Sequence, residues 1–125
     1  MTENSLKILL VDDVAYFREV MRDYFKRTPA TIMMAASGQE ALETALRESP
    51  DLIYMDVVMP GLNGFQATRE LSRDPETSDI PVLMVTTKGD ETDRIWGMRQ
   101  GAADYLVKPI TEAQLVERVK AVLEG

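Results

Sequence analysis

Leu52-Ile53-Tyr54-Met55-Asp56, continued by Val57-Val58-Met59-Pro60-Gly61, is an apolar run that stops at a carboxylate and then turns away. Apolar residues in succession, without alternation, suit a strand covered on both faces, as in a parallel sheet. An Asp at the carboxyl end of such a strand stands at the rim where open α/β sheets hold their ligands. Asp56 is therefore the first candidate for chemistry.

The same pattern recurs on both sides. Lys7-Ile8-Leu9-Leu10-Val11 reads as a strand ending in Asp12-Asp13, and residues 30–35 as a second, rich in Ile and Met. Pro81-Val82-Leu83-Met84-Val85 reads as a fourth ending in Thr86-Thr87, and Tyr105-Leu106-Val107 as a fifth ending in Lys108-Pro109. Between them lie helical patterns. Residues 14–28 carry Val14, Phe17, Met21, Tyr24 and Phe25 at helical spacing. Ser37 and Glu40 have capping-box spacing and open a helix with Ala41, Leu42, Ala45 and Leu46 inward. A capped helix runs from Asn63 to about Arg73, with Phe65, Thr68 and Leu71 inward. A weaker one spans 90–100 with Ile95 and Met98 facing the sheet, Trp96 packing on a neighbouring helix or reaching solvent, and Gly101 as cap. The last starts at Thr111 with Gln114 three residues on, and carries Leu115, Val116, Val119, Val122 and Leu123. Residues 74–79 read as a solvated polar loop. Strand and helix alternate throughout, so the expected fold is a doubly wound α/β domain with five parallel strands.

Composition narrows the chemistry. The 125 residues contain no Cys and no His, which excludes disulfides, thiolate zinc sites, cysteine nucleophiles, Ser-His-Asp catalysis and imidazole ligands. The formal net charge of -7 argues against nucleic acid as a direct partner. No stretch reaches the length of a membrane span, and the polar start Met1-Thr2-Glu3-Asn4-Ser5 does not resemble a signal peptide, so a cytoplasmic location is expected.

In a parallel sheet the strand-end residues Asp12, Asp13, Asp56, Thr86 and Lys108 share one edge. Two carboxylates about 4 Å apart repel by roughly 4 kcal/mol at an effective dielectric near 20. Three with one ammonium remain short of balance, and an all-oxygen donor set suits Mg²⁺, with Mn²⁺ possible. Such a carboxylate, flanked by an ammonium and a hydroxyl, can accept a phosphoryl group from another molecule. Taken singly each residue has a plainer role: Asp12 or Asp13 as a helix cap, Asp56 as a turn former, Thr86 as a strand residue, Lys108 as a surface charge, Tyr105 as core.

Asp12-Asp13, Asp56 with Met59-Pro60-Gly61, Thr86, Tyr105 and Lys108-Pro109 together resemble the receiver domains of two-component response regulators. The stretches from Met59 to Arg69, Thr86 to Lys88 and Glu91 to Gly97 are similar to the stand-alone regulators of twitching-motility (type IV pilus) chemosensory systems. The resemblance implies one flavodoxin-like (βα)5 receiver domain over residues 1–125, with strand order 2-1-3-4-5. It implies phosphorylation of Asp56 by a histidine kinase, and Mg²⁺ on Asp13, Asp56 and the Val58 carbonyl, with Asp12 assisting through water. Thr86 would swing toward the phosphate, Tyr105 would turn inward, and the face of the fourth helix, fifth strand and fifth helix would engage a motility-type target. A cis Lys108-Pro109 bond and a monomer or weak dimer are expected. Such a protein is a signalling switch, not a turnover enzyme.

Thr87 departs from the small residue common at its position, which narrows access to the site. Val58 and Lys88 stand where the family tunes phosphate lifetime, and Val58 cannot orient a water, so slow self-dephosphorylation is expected. A haloacid-dehalogenase phosphatase would need an acid where Val58 stands. A flavin protein would need a hydroxyl- and glycine-rich loop in place of Asp12-Asp13. Two alternatives stay open: a phosphate sink draining a shared kinase, and a pseudo-receiver that binds without phosphate.

Overall fold

The computed structural model describes residues 6–124, so the polar start at 1–5 lies outside the described residues. The strands β1 (Lys7–Val11), β2 (Thr31–Ala35), β3 (Leu52–Met55), β4 (Val82–Thr86) and β5 (Asp104–Val107) alternate with α1 (Ala15–Tyr24), α2 (Gly38–Glu48), α3 (Gly64–Arg73), α4 (Glu91–Arg99) and α5 (Glu112–Glu124). All strands pair in parallel in the order β2-β1-β3-β4-β5. The doubly wound α/β fold and the strand order both hold.

Register sorts the side chains into two cores. Val11 pairs with Met55, Met55 with Met84, and Met84 with Tyr105, and this row faces α2, α3 and α4 with Ala41, Ala45, Ala67 and Leu71. The row beneath it, Leu10, Tyr54 and Leu83, points the other way, onto Met21 and Phe25 of the α1 segment and Leu115 and Val119 of α5. Because side chains alternate, each residue added to a strand end moves to the opposite face. That rule decides which strand-end residues meet.

Several local expectations shift. Helix α1 stops at Tyr24, not Thr28, because Thr28 turns back on the Phe25 carbonyl through its backbone N–H (3.0 Å) and its hydroxyl (2.7 Å). Val14 and Phe17 are exposed in place of joining the core, and the Phe17 ring packs under the Lys108 ammonium. In α2 the buried face holds Thr44, while Leu46 is exposed. The Ser37 hydroxyl accepts from Glu40 N–H, but the Glu40 carboxylate accepts from Ala36 N–H, so that capping box is only half formed. The boxes at Asn63/Gln66 and Thr111/Gln114 are complete. The 74–79 segment is not wholly solvated: Thr77 is buried and its hydroxyl donates to the Leu71 carbonyl at 2.7 Å.

The largest departure is α4. Ile95 and Met98, expected to face the sheet, are exposed and Gly97 faces it in their place, while Trp96 reaches the surface as expected. A Cβ on Gly97 would stand 2.8 Å from Met84 Sδ and 3.0 Å from the Tyr105 ring, so only a glycine lets the helix sit this close. The glycine that weakens the helix in isolation is what docks it.

Candidate functional site

The carboxyl ends of β1 and β3 are level. Asp12 follows Val11 and Asp56 follows Met55, the two residues that pair, and Asp56 N–H donates to the Val11 carbonyl at 2.9 Å. Both side chains therefore point to the α1/α5 face. Asp12, Asp13 and Asp56 each offer a carboxylate oxygen, all within 4.8 Å of one another. Lys108, which follows β5, reaches back so that Nζ lies 3.2 Å from Asp12 Oδ2 and 3.5 Å from Asp56 Oδ1. Asp12 and Asp56 are buried, Asp13 is exposed.

Asp12 does not cap α1, whose N-cap is Val14 without a side-chain cap; it accepts from Val14 N–H at 2.9 Å and closes the turn that leads into the helix. Burial, followed by the charge of Asp12, pushes the Asp56 carboxyl up to about 6 against the pull of Lys108. Three carboxylates beside one ammonium leave negative charge unbalanced, and a hard divalent cation on oxygen donors fits that surplus.

Thr86 stands apart. It lies two residues beyond Met84, so alternation turns it to the α2–α4 face, away from the Asp12/Asp56 pair. Its hydroxyl oxygen accepts from Lys88 N–H at 3.2 Å and makes no hydrogen bond to Asp56. Tyr105, on the same face, is already inward at 6% exposure, seated under Gly97, and its hydroxyl donates to the Lys88 carbonyl at 2.6 Å. Burial and then the charges of Asp93 and Asp90 push that phenol up to about 12, so it remains a donor. Lys88 thus links Thr86 and Tyr105 through its backbone, not through the side chain that drew notice in the sequence. Val58 is exposed beside Asp56, and Thr87 is exposed on the rim. The Lys108-Pro109 bond is cis.

Three neighbours were not singled out from the sequence as site residues. The Phe17 ring lies under Lys108, with Nζ 4.7 Å from its centroid. Arg18 Nη1 donates to the Asp12 carbonyl at 2.7 Å, adding a second cation at the rim. Tyr54, two residues before Asp56 on the same face, buries a hydroxyl that has no partner. Helical spacing marked Phe17 as core, and nothing in the sequence marked the other two. Tyr16, Phe17, Met21, Thr87, Lys108 and Ile110 help to line an open groove of about 400 Å³ beside the site.

Residues 8–120 match the response regulator receiver domain. Protein PilH of Pseudomonas aeruginosa is 48% identical over 119 residues, which cover 95% of this chain and 98% of PilH. The chain belongs to the response regulator receiver family. Among solved structures, a putative response regulator from Chloroflexus aurantiacus superposes with a TM-score of 0.92 at 34% identity, covering 98% of this chain and 100% of that one. The chemotaxis protein CheY4 of Vibrio cholerae gives 0.89 at 30% identity, covering 94% and 98%. Other relatives are longer, and this receiver spans about half their length. Receiver domains are signalling switches that bind Mg²⁺ at an acidic pocket, and here Asp12, Asp13 and Asp56 form an acidic cluster whose oxygens could hold a metal ion. Among the described residues no helix is long and apolar enough to cross a membrane.

Proposed function

We propose that this receiver takes a phosphoryl group onto Asp56 from the phosphohistidine of a histidine kinase and in that form binds a target protein in the cytoplasm. The observation that carries the reading is Lys108 Nζ set between the buried carboxylates of Asp12 and Asp56, with Asp13 beside them. An Asp56 oxygen attacks phosphorus, the N–P bond of the donor breaks, and the imidazole leaves with that electron pair. Lys108 offsets charge on the transferred group. The Thr86 hydroxyl accepts from Lys88, so its own proton is free to donate when the side chain turns toward the site. Asp12, Asp13, Asp56 and the Val58 carbonyl would hold Mg²⁺, or Mn²⁺, which when bound supplies the missing positive charge.

With acetyl phosphate and Mg²⁺, intact-mass measurement should show one phosphoryl group added per chain, and none when EDTA is present. Uptake that ignores EDTA would sink the magnesium assignment. Chasing the same sample reads the lifetime. Val58, exposed at 53%, brings no group that could orient water, and Thr87 and Lys88 crowd the rim, so decay should be slow.

Phe17 should tune uptake by steadying the ammonium. A cation over a ring is worth about 0.5–2 kcal/mol. Phe17→Leu should therefore slow uptake by roughly fivefold, while Phe17→Tyr keeps the wild-type rate. Equal slowing by both would show packing, not the ring face, to be responsible.

For output, the exposed Ile95 and Met98 of α4 and Val107 of β5 favour direct target binding over a phosphate sink, since apolar groups held at the surface suit a protein partner. The likeness to PilH and the stretches that resemble twitching-motility regulators support a target of that motility type. Partner capture that rises with acyl phosphate supports direct output, and kinase draining without a partner supports the sink.

A further inference from the structure

The α4 face away from β5 carries a second feature, at the other end of the helices from the acidic cluster. Helix α3 leaves the carboxyl edge at Asn63 and α4 leaves it at Asp90, so residues near their carboxyl ends lie far from Asp56. There Arg69, Arg73 and Arg99 line one groove of about 290 Å³ with Ser72, Trp96 and Gln100. On a chain of net charge -7, three arginines line one groove, and among the described residues none of them has a carboxylate within ion-pair distance.

Local structure does not account for them. Arg73 and Arg99, in the last turns of α3 and α4, complement the helix ends, but Arg69 sits a turn earlier and gains nothing there. Arg69 and Arg73 are four apart on one helix, a like-charge spacing that opposes helix formation. The floor is fixed. The Ser72 hydroxyl lies 2.9 Å from the Arg69 carbonyl and 3.0 Å from the Gln100 carbonyl, and Gln100 Nε2 donates to the Trp96 carbonyl at 3.3 Å. Trp96, 48% exposed, forms an apolar wall beside the cations.

We propose that this α3–α4 groove binds a short acidic segment of a partner protein, with carboxylates on Arg69, Arg73 and Arg99 and an apolar side chain against Trp96. Guanidinium groups pair with carboxylates in two-point fashion, and a Trp face accepts an aliphatic neighbour. Charge selects the length. A long polyanion would have to continue over the acidic residues Asp74, Glu76 and Asp79 that follow α3, whereas a short segment stays within the groove.

Trp96 is the chain's one tryptophan, so its fluorescence reads the groove directly. Full-length protein is titrated at low ionic strength with a short oligoglutamate peptide carrying one leucine. The parallel titrants are the matching oligoglutamine peptide, inorganic phosphate and oligothymidylate. A saturable change is expected with the acidic peptide alone, weakened about tenfold in the Arg69→Gln/Arg99→Gln variant, in line with lost charge-assisted hydrogen bonds. Glutamine keeps helix propensity, and unchanged phosphoryl uptake at Asp56 shows that the variant is folded. No saturable change, or one that survives in the variant, overturns the proposal. So does an equal response to phosphate or oligothymidylate, which would make the groove a general anion site or a nucleic-acid site.

Discussion

Asp56→Asn is expected to lose phosphoryl uptake completely while melting at a higher temperature than the wild type in metal-free buffer near pH 7.5. Both outcomes follow from one cause. In the proposed function Asp56 is the phosphoryl acceptor, and holding it there keeps a carboxylate buried beside Asp12 and near Asp13. Its carboxyl is raised from 3.8 to about 6, first by burial and then by Asp12. Folded protein therefore keeps a proton on Asp56 at acidities where the unfolded chain releases it. The stabilising contribution of that proton is complete below pH 3.8 and is lost as pH rises through about 6. Above that, the ionised group destabilises the fold by on the order of 2–3 kcal/mol, since each pKa unit is worth about 1.4 kcal/mol. Asn removes the charge and keeps the shape, so the gain should be roughly 10 °C for a chain of this size. At pH 4.5 most of the gain should vanish, because Asp56 is then protonated in the fold. Excess Mg²⁺ should also shrink it by stabilising the wild type through binding. Calorimetry across pH, with EDTA or Mg²⁺, tests this, and an Asn variant that melts lower at pH 7.5 would refute the strain argument.

Sheet topology explains why so much of the site can be read from the chain. In β1, β3, β4 and β5 an apolar run is closed by a polar residue, and parallel pairing carries those closing residues to one edge. Asp12, Asp13, Asp56 and Lys108 are found together for that reason. Thr86 shows the next level of information. Its run is one residue longer past the shared row than that of Asp56, so its hydroxyl faces α2–α4. Parity could have shown this once the register was known, but register is a property of the sheet, not of one strand.

Other features are hidden because the cues that periodicity uses point the wrong way. In α4 the apolar residues Ile95 and Met98 look outward and the residue without a side chain faces the core. Phe17 carries an ordinary core signal, yet its ring is exposed and meets the Lys108 ammonium. Arg18 acts on a backbone carbonyl, and no side-chain pattern encodes that contact. The three arginines of the α3–α4 groove lie on two helices, so their shared groove exists only in the fold.

Gly64→Ala should be the most damaging of the small substitutions, by about 3 kcal/mol or more. A Cβ at this position would lie 2.2 Å from the Asp56 carbonyl oxygen and 2.7 Å from the Val57 Cα. Neither neighbour can move alone. Gly64 N–H donates to the Val57 carbonyl at 2.9 Å, and the Asn63/Gln66 capping box fixes the start of α3 from the other side. Relief must come from shifting the chain that leaves β3, which carries both Asp56 and the Val58 carbonyl. Stability and phosphoryl uptake should then fall together, unlike their opposite movement in Asp56→Asn. Gly61→Ala is the internal comparison: Gly61 has φ of +71° and nothing within 4 Å, so only backbone strain of about 1–2 kcal/mol applies. Urea denaturation of both variants decides the point. A Gly64→Ala loss no greater than that of Gly61→Ala would mean that α3 can slide away from β3 at little cost, and that the loop after Asp56 is held by the capping box and not by contact with the glycine.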